Sequence, residues 1–167
     1  MKLNFKCSLL ILFFSVCLNG LTQNHHNEGA LAISTKQLNV KLFDDKSWPE
    51  ILKKSQRPMA YLFTTSYCST CPEAFAILNS AARSSGKKIE LAAVMMDVTG
   101  TQAQKHASHF EGLTQLFAFD GFEPAIRQSV DPKWPNVTPY IVLIDKNGAI
   151  QKVIGQPTPS MIKRWLS

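Results

Sequence analysis

Cysteine is scarce in this chain of 167 residues: there are four, and two of them, Cys7 and Cys17, fall in an apolar stretch near the amino terminus. If that stretch is removed, only Cys68 and Cys71 remain. Two cysteines cannot form the disulfide framework of a small secreted scaffold, and a domain of about 145 residues does not need one. Charge is thin as well, at 18% of residues, and no basic block stands out. The formal +6 therefore reads as a solvated surface rather than a nucleic-acid footprint. Internal repeats and low-complexity tracts are missing. With 45% hydrophobic residues the chain is neither disordered nor fibrous, and its length suits one globular domain.

Long apolar runs are absent too. Cys7 to Leu18 is twelve residues without a charge, short of the about 20 that a membrane-spanning helix needs. Preceded by Lys2 and Lys6 and followed by Asn19 and Gly20, it suits the hydrophobic region of a secretory signal peptide over residues 1–20, cleaved somewhere between 20 and 23. A buried core helix and lipidation at Cys17 are competing readings; Val16 stands where lipidation wants a small residue. Residues 21–37 read as a flexible leader, polar at first and including His25 and His26. Loss of Lys2 and Lys6 lowers the formal charge from +6 to +4. An exported chain works in the periplasm or otherwise outside the cytoplasm, where disulfide chemistry is permitted.

Residues 38–167 read as the folded domain. Leu38, Val40 and Leu42 alternate with Asn39 and Lys41 as a strand does. Ser47, Trp48, Pro49 and Glu50 have the form of a capping box that opens a helix to about Ser55. Met59 to Phe63 is a buried strand, and a helix after Pro72 carries Phe75, Ile77, Leu78, Ala81 and Ala82 towards Gly86. Ile89 to Val98 reads as a strand, Thr101 to Phe110 as a helix, Leu116 to Phe119 as a short strand and Pro124 to Val130 as a brief helix. Asn147-Gly148 between Tyr140–Ile144 and Ala149–Ile154 marks a hairpin, followed by a terminal helix from Met161 to Leu166. The order is that of an α/β fold with helices flanking a mixed central sheet.

The chemistry concentrates at Ser66-Tyr67-Cys68-Ser69-Thr70-Cys71-Pro72. A cysteine at the start of a helix sits beside unpaired backbone N–H groups and the positive end of the dipole, which favour the thiolate over the thiol. Cys68 is thus the candidate nucleophile, and Cys71, three residues on, the candidate resolving thiol. Half of a zinc site is the rival reading. Only His106 and His109 offer further ligands, at a spacing that fits structural zinc poorly, so no metal or other cofactor is expected. Pro139 opens a strand that should pair centrally, where a cis Thr138–Pro139 bond supplies a turn.

The strand ending at Phe63, the Cys68-x-x-Cys71 helix start, and Thr138-Pro139 ahead of Tyr140-Ile141-Val142-Leu143-Ile144-Asp145 together resemble the thioredoxin superfamily. The resemblance is greatest to TlpA/ResA-like periplasmic thiol-disulfide oxidoreductases, over roughly residues 38–167. It implies a thioredoxin-like fold and exchange with protein thiols and disulfides, served by a redox partner protein. It also implies that Thr138, Pro139 and Tyr67 bind the substrate, and the chain is expected to be a monomer. Three positions depart from the family. Tyr67 stands for tryptophan, Leu62 for a buried acid, and Ala74 for a glutamate, with Glu73 one residue out of place and turned by about 100°. Ser69 and Thr70 bring no charge, which points to a reductase or exchanger rather than a strong oxidant. Two alternatives remain, a disulfide isomerase and a copper-binding chaperone of the same fold. Against the chaperone, Sco-like copper proteins have cysteines four apart and a later histidine, whereas no histidine occurs between Phe110 and Tyr140.

Overall fold

A computed structural model describes residues 38–54 and 57–167; the expected signal peptide (1–20) and leader (21–37) lie outside them. Eleven elements run β1 (Val40–Phe43), α1 (Ser47–Lys54), β2 (Met59–Thr64), α2 (Cys71–Ser84), β3 (Glu90–Met95), α3 (Gly100–Ala107), β4 (Gln115–Phe119), α4 (Glu123–Val130), β5 (Tyr140–Ile144), β6 (Ile150–Ile154) and α5 (Pro159–Leu166). The six strands form one sheet in the order β1-β4-β3-β2-β5-β6. The first four run parallel, β5 is antiparallel to β2, and β6 is antiparallel to β5.

Continuous apolar runs sit at the centre because helices cover both faces there. Every residue of β2 and of β5 is buried. Successive side chains alternate between the two sides of a strand. Ala60, Leu62, Ile141 and Leu143 accordingly meet α2, α3 and α5 through Phe75, Leu78, Ala103 and Trp165. Met59, Tyr61, Phe63 and Val142 face α1 and α4 through Trp48, Ile126 and Val130. The result is a three-layer α/β domain around a mixed sheet, as the element order implies.

Several local expectations need correction. Leu42 is 65% exposed, whereas Phe43 is fully buried against Phe63, Phe117 and Phe119. β1 is an edge strand, so part of it projects past the covering layer. The capping box at Ser47 and Glu50 is not formed; Asp44 supplies the cap. Its Oδ1 accepts from the Lys46 N–H (3.1 Å) and the Ser47 hydroxyl (2.6 Å), and Ser47 Oγ accepts from the Asp44 N–H (2.9 Å). Glu50 instead pairs with Lys54, one turn on. β3 stops at Met95 rather than Val98, and α3 at Ala107 rather than Phe110, because a chain of turns carries Ser108 to Phe110. Among the described residues no helix is long and apolar enough to cross a membrane.

Gly112 has φ +81°, and a Cβ there would run into the side-chain amide of Asn79, itself buried on α2. Both the backbone conformation and the space favour glycine. Gly112→Ala is expected to cost about 1–3 kcal/mol, read as a lower urea midpoint at unchanged slope.

Candidate active site

β2 delivers the chain, fully buried, to the edge of the sheet at Thr64, and a short loop turns it into α2. The Cys68 N–H donates to Thr65 O (3.1 Å) and the Cys71 N–H to Cys68 O (3.3 Å). Thr70 is the N-cap of α2, Cys71 its first residue, and Pro72 follows in the first turn at no hydrogen-bonding cost. Cys68 therefore lies one turn ahead of the helix rather than at its cap, and Cys71 occupies the helix start. The two are joined by a disulfide with Cα atoms 5.5 Å apart. Cys68 retains 9% of its surface and Cys71 none, so both pack in the core and only Cys68 keeps any exposed area. Thr70 makes no side-chain cap bond; its hydroxyl stands 4.0 Å from Cys68 Sγ.

A carboxylate that sequence reasoning missed holds the loop. Asp97, just past β3, accepts from the Ser66 N–H (2.9 and 3.0 Å to its two oxygens) and from the Ser66 hydroxyl (2.6 Å). The parallel pairing of Thr64 with Met95 places the two loops side by side. An acid two residues past a strand adjacent to the cysteine-bearing one was the available signal. Removal of these bonds by Asp97→Ala is expected to loosen the loop: protease cleavage near Ser66 should rise several-fold, while the urea midpoint moves little, since each bond nets about 1 kcal/mol at an exposed position.

The Thr138–Pro139 peptide is cis, as the sequence suggests, and so is Arg57–Pro58, which it did not signal. Tyr140 pairs with Phe63 on one side and Ile154 on the other, and Pro139 O accepts from the Gly155 N–H (2.9 Å). Pro139 thus stands at the level of Thr64, at the sheet edge where the cysteine loop leaves β2. Tyr67, 79% exposed, projects from that loop. Phe122, Val137 and Ile154 are also exposed and lie at this same edge, where β1 to β4 and β6 end and β5 begins.

Other candidates are placed elsewhere. Glu73 is exposed on α2 beside the fully buried Ala74, and Leu62 is buried under the pair with no acid in its place. His106 and His109 have ring centroids 5.5 Å apart, and His106 lies edge-on to Phe110. Burial lowers the pKa of His106, helped by His109 and opposed by Asp97. Among the described residues no group of three or more His, Cys, Asp or Glu side chains converges as metal ligands would.

Asp131 ends α4 and is buried. Burial by itself raises its pKa. Bonds from Lys152, Tyr140 and the Lys133 N–H, with the Lys152 charge, outweigh that and hold the carboxyl below its ordinary 3.8. A depressed carboxyl adds stability that is complete above the unfolded-state value and disappears as pH falls through the folded one. Acidification from pH 7 to below 3.8 should therefore lower the urea midpoint more in the wild type than in Asp131→Asn.

No family model and no curated protein matches the sequence. Solved structures do resemble it. The thio-disulfide isomerase of Thermus thermophilus aligns with 69% of this chain and 80% of its own at 16% identity and a TM-score of 0.52. The thioredoxin-related protein of Neisseria meningitidis serogroup B aligns with 68% of this chain and 84% of its own at 11% identity and a TM-score of 0.51. The likeness is one of architecture, the sheet and its flanking helices.

Proposed function

We propose that this chain, which has the thioredoxin fold, is a thiol-disulfide oxidoreductase of the TlpA/ResA-like kind that exchanges electrons with other proteins. The observation that carries the reading is the unequal pair: Cys68, which keeps a small exposed area, and Cys71, which keeps none, bonded to each other at the entry to α2, with Pro139 at the same end of the sheet. In the reduced protein the Cys68 thiolate attacks a substrate disulfide, forms a mixed disulfide and expels one substrate thiolate. Cys71, after loss of its proton, attacks Cys68 Sγ and expels the second. Two electrons pass to the substrate, its two sulfurs leave as thiols once protonated, and the protein is left as the Cys68–Cys71 disulfide. A dithiol partner protein must then reduce it, and the reverse sequence oxidises a dithiol.

Tyr67, Thr138 and Pro139 line the approach to Cys68, and the exposed Phe122, Val137 and Ile154 give an apolar rim suited to unfolded or extended polypeptide. Residues 38–167 form the working domain, a monomer without nucleic-acid partners or a metal cofactor, exported by the segment before it. Uncharged Ser69 and Thr70 favour a reductase or exchanger over a strong oxidant. Reduction of insulin by the wild type, with Cys68→Ser inert, is the expected result; equal activity in Cys68→Ser would sink the reading. The potential of the pair sets direction, about −270 mV for a reductase against about −120 mV for an oxidant.

A further inference from the structure

The loop from Asp131 to Pro139 joins α4 to β5 and carries the Thr138 peptide. It is pinned at both ends by one side chain. Asp131 is the sole acid among the buried described residues. Its Oδ1 accepts from the Lys133 N–H (3.0 Å) and from Lys152 Nζ on β6 (2.7 Å). Its Oδ2 accepts from the Tyr140 hydroxyl, on the first residue of β5. The carboxylate thereby brackets the nine residues between helix and strand. Burying an ion is costly, and here both carboxylate oxygens are matched by donors, from the two ends of the loop and from Lys152 on β6.

From that bracket a chain of contacts runs to the substrate side. The Trp134 N–H donates to Asp131 O (3.0 Å), and its indole lies flat on the Tyr140 ring, centroids 4.2 Å apart and planes 16° from parallel. The indole N–H donates to Val137 O (3.1 Å). Asn136, between them, has φ +56°, a conformation that asparagine tolerates better than most residues and that surrounding contacts must hold. The Val137–Thr138 peptide is planar and trans, so its C=O and N–H point in opposite directions. Once Trp134, which is buried, has captured the carbonyl, the Thr138 N–H is turned away from the core. Thr138 itself precedes the first paired residue of β5, outside the ladder.

We propose that Asp131 is a positioning residue for polypeptide substrates: through Tyr140 and Trp134 it fixes the Thr138 peptide in the orientation that pairs with a substrate backbone. The proposal rests on the exchange reaction above and on the place given there to Thr138 beside the approach to Cys68, where an extended substrate chain can pair with an exposed backbone edge. It demands selectivity. A polypeptide disulfide needs the aligned peptide, whereas a small aromatic disulfide such as dithiobis-nitrobenzoate has no backbone to align and reacts with Cys68 regardless.

The test compares second-order rate constants of the reduced protein with insulin and with dithiobis-nitrobenzoate, for wild type, Asp131→Asn, Tyr140→Phe and Trp134→Phe. The last keeps a ring on Tyr140 while removing the indole donor together with part of the ring's packing, so it serves if Asp131→Asn fails to fold. Expected are a fall of about tenfold with insulin and a change within about twofold with the small disulfide, at an unchanged potential of the Cys68–Cys71 couple. Equal losses with both disulfides, a shifted potential, or insulin rates equal to wild type in all folded variants would overturn the proposal. A wild-type protein inert towards both disulfides is a different failure, that of the exchange reading, and removes the bracket's purpose with it.

Discussion

Cys71→Ser is expected to stop turnover and leave a protein that becomes covalently attached to its substrate through Cys68. Cys68 keeps 9% of its surface and Cys71 none, so of the two only Cys68 offers access to an incoming protein disulfide. The second acts afterwards, within the same molecule, across a turn that places the two Cα atoms 5.5 Å apart. Such intramolecular delivery corresponds to effective concentrations on the order of 10⁵ M or more in well-oriented systems, far above any free thiol in solution. A serine hydroxyl cannot replace it, because it neither ionises nor accepts the sulfur bond. Release of the mixed disulfide should slow by about a thousandfold or more. Non-reducing gels or mass spectrometry of reduced Cys71→Ser mixed with a disulfide-bonded protein substrate read the adduct directly. Cys68→Ser should give none; adducts of equal yield in both variants would overturn the distinction between the two cysteines, and an adduct in Cys68→Ser alone would reverse the assigned roles.

How much of this was readable beforehand follows from the physics of each feature. The β2 run, the hairpin at Asn147-Gly148 and the helix after Pro72 rest on local patterns, and they appear within a residue or two of expectation. The cis bond before Pro139 was legible because a proline that opens a central strand has few other options. What escaped were single polar side chains whose partners come from elsewhere in the chain. Asp97 meets Ser66 across 31 positions, and Asp131, at the end of α4, meets Lys152 on β6. Periodicity treats an acid as a surface residue and has no means of marking the one that is buried. Asp44 escaped for a related reason: an Asp-x-x-Ser cap and a Ser-x-x-Glu cap overlap in the same stretch, and which one forms depends on where the edge strand ends. The exposed Leu42 and buried Phe43 show the same limit, since β1 pairs with β4 alone.

Trp165→Ala is expected to cause the largest loss of stability among the substitutions considered. α5 has eight residues, too few to persist in water by its own hydrogen bonds. Its start is fixed by Thr158, whose hydroxyl accepts from the Met161 N–H (3.3 Å), and its remainder depends on docking. Trp165 is fully buried, and its indole N–H donates to Met59 O (3.0 Å) at the beginning of β2, 106 positions away. The alanine variant loses the buried ring, opens a cavity under the sheet and leaves the Met59 carbonyl without that donor. Such truncations cost about 3–5 kcal/mol, against a total of about 5–15 for a domain of this kind. Trp165→Phe keeps most of the apolar area and forfeits the hydrogen bond to Met59 O, at about 0.5–1.5 kcal/mol. Urea titration should rank wild type, Trp165→Phe and Trp165→Ala in that order of midpoint, and equal midpoints would show that α5 adds nothing to the fold. Because β2 runs from Met59 directly to Thr64 and the cysteine loop, a loosened α5 reaches the active site through the strand it anchors. The alanine variant should therefore lose exchange activity on warming well before the phenylalanine one.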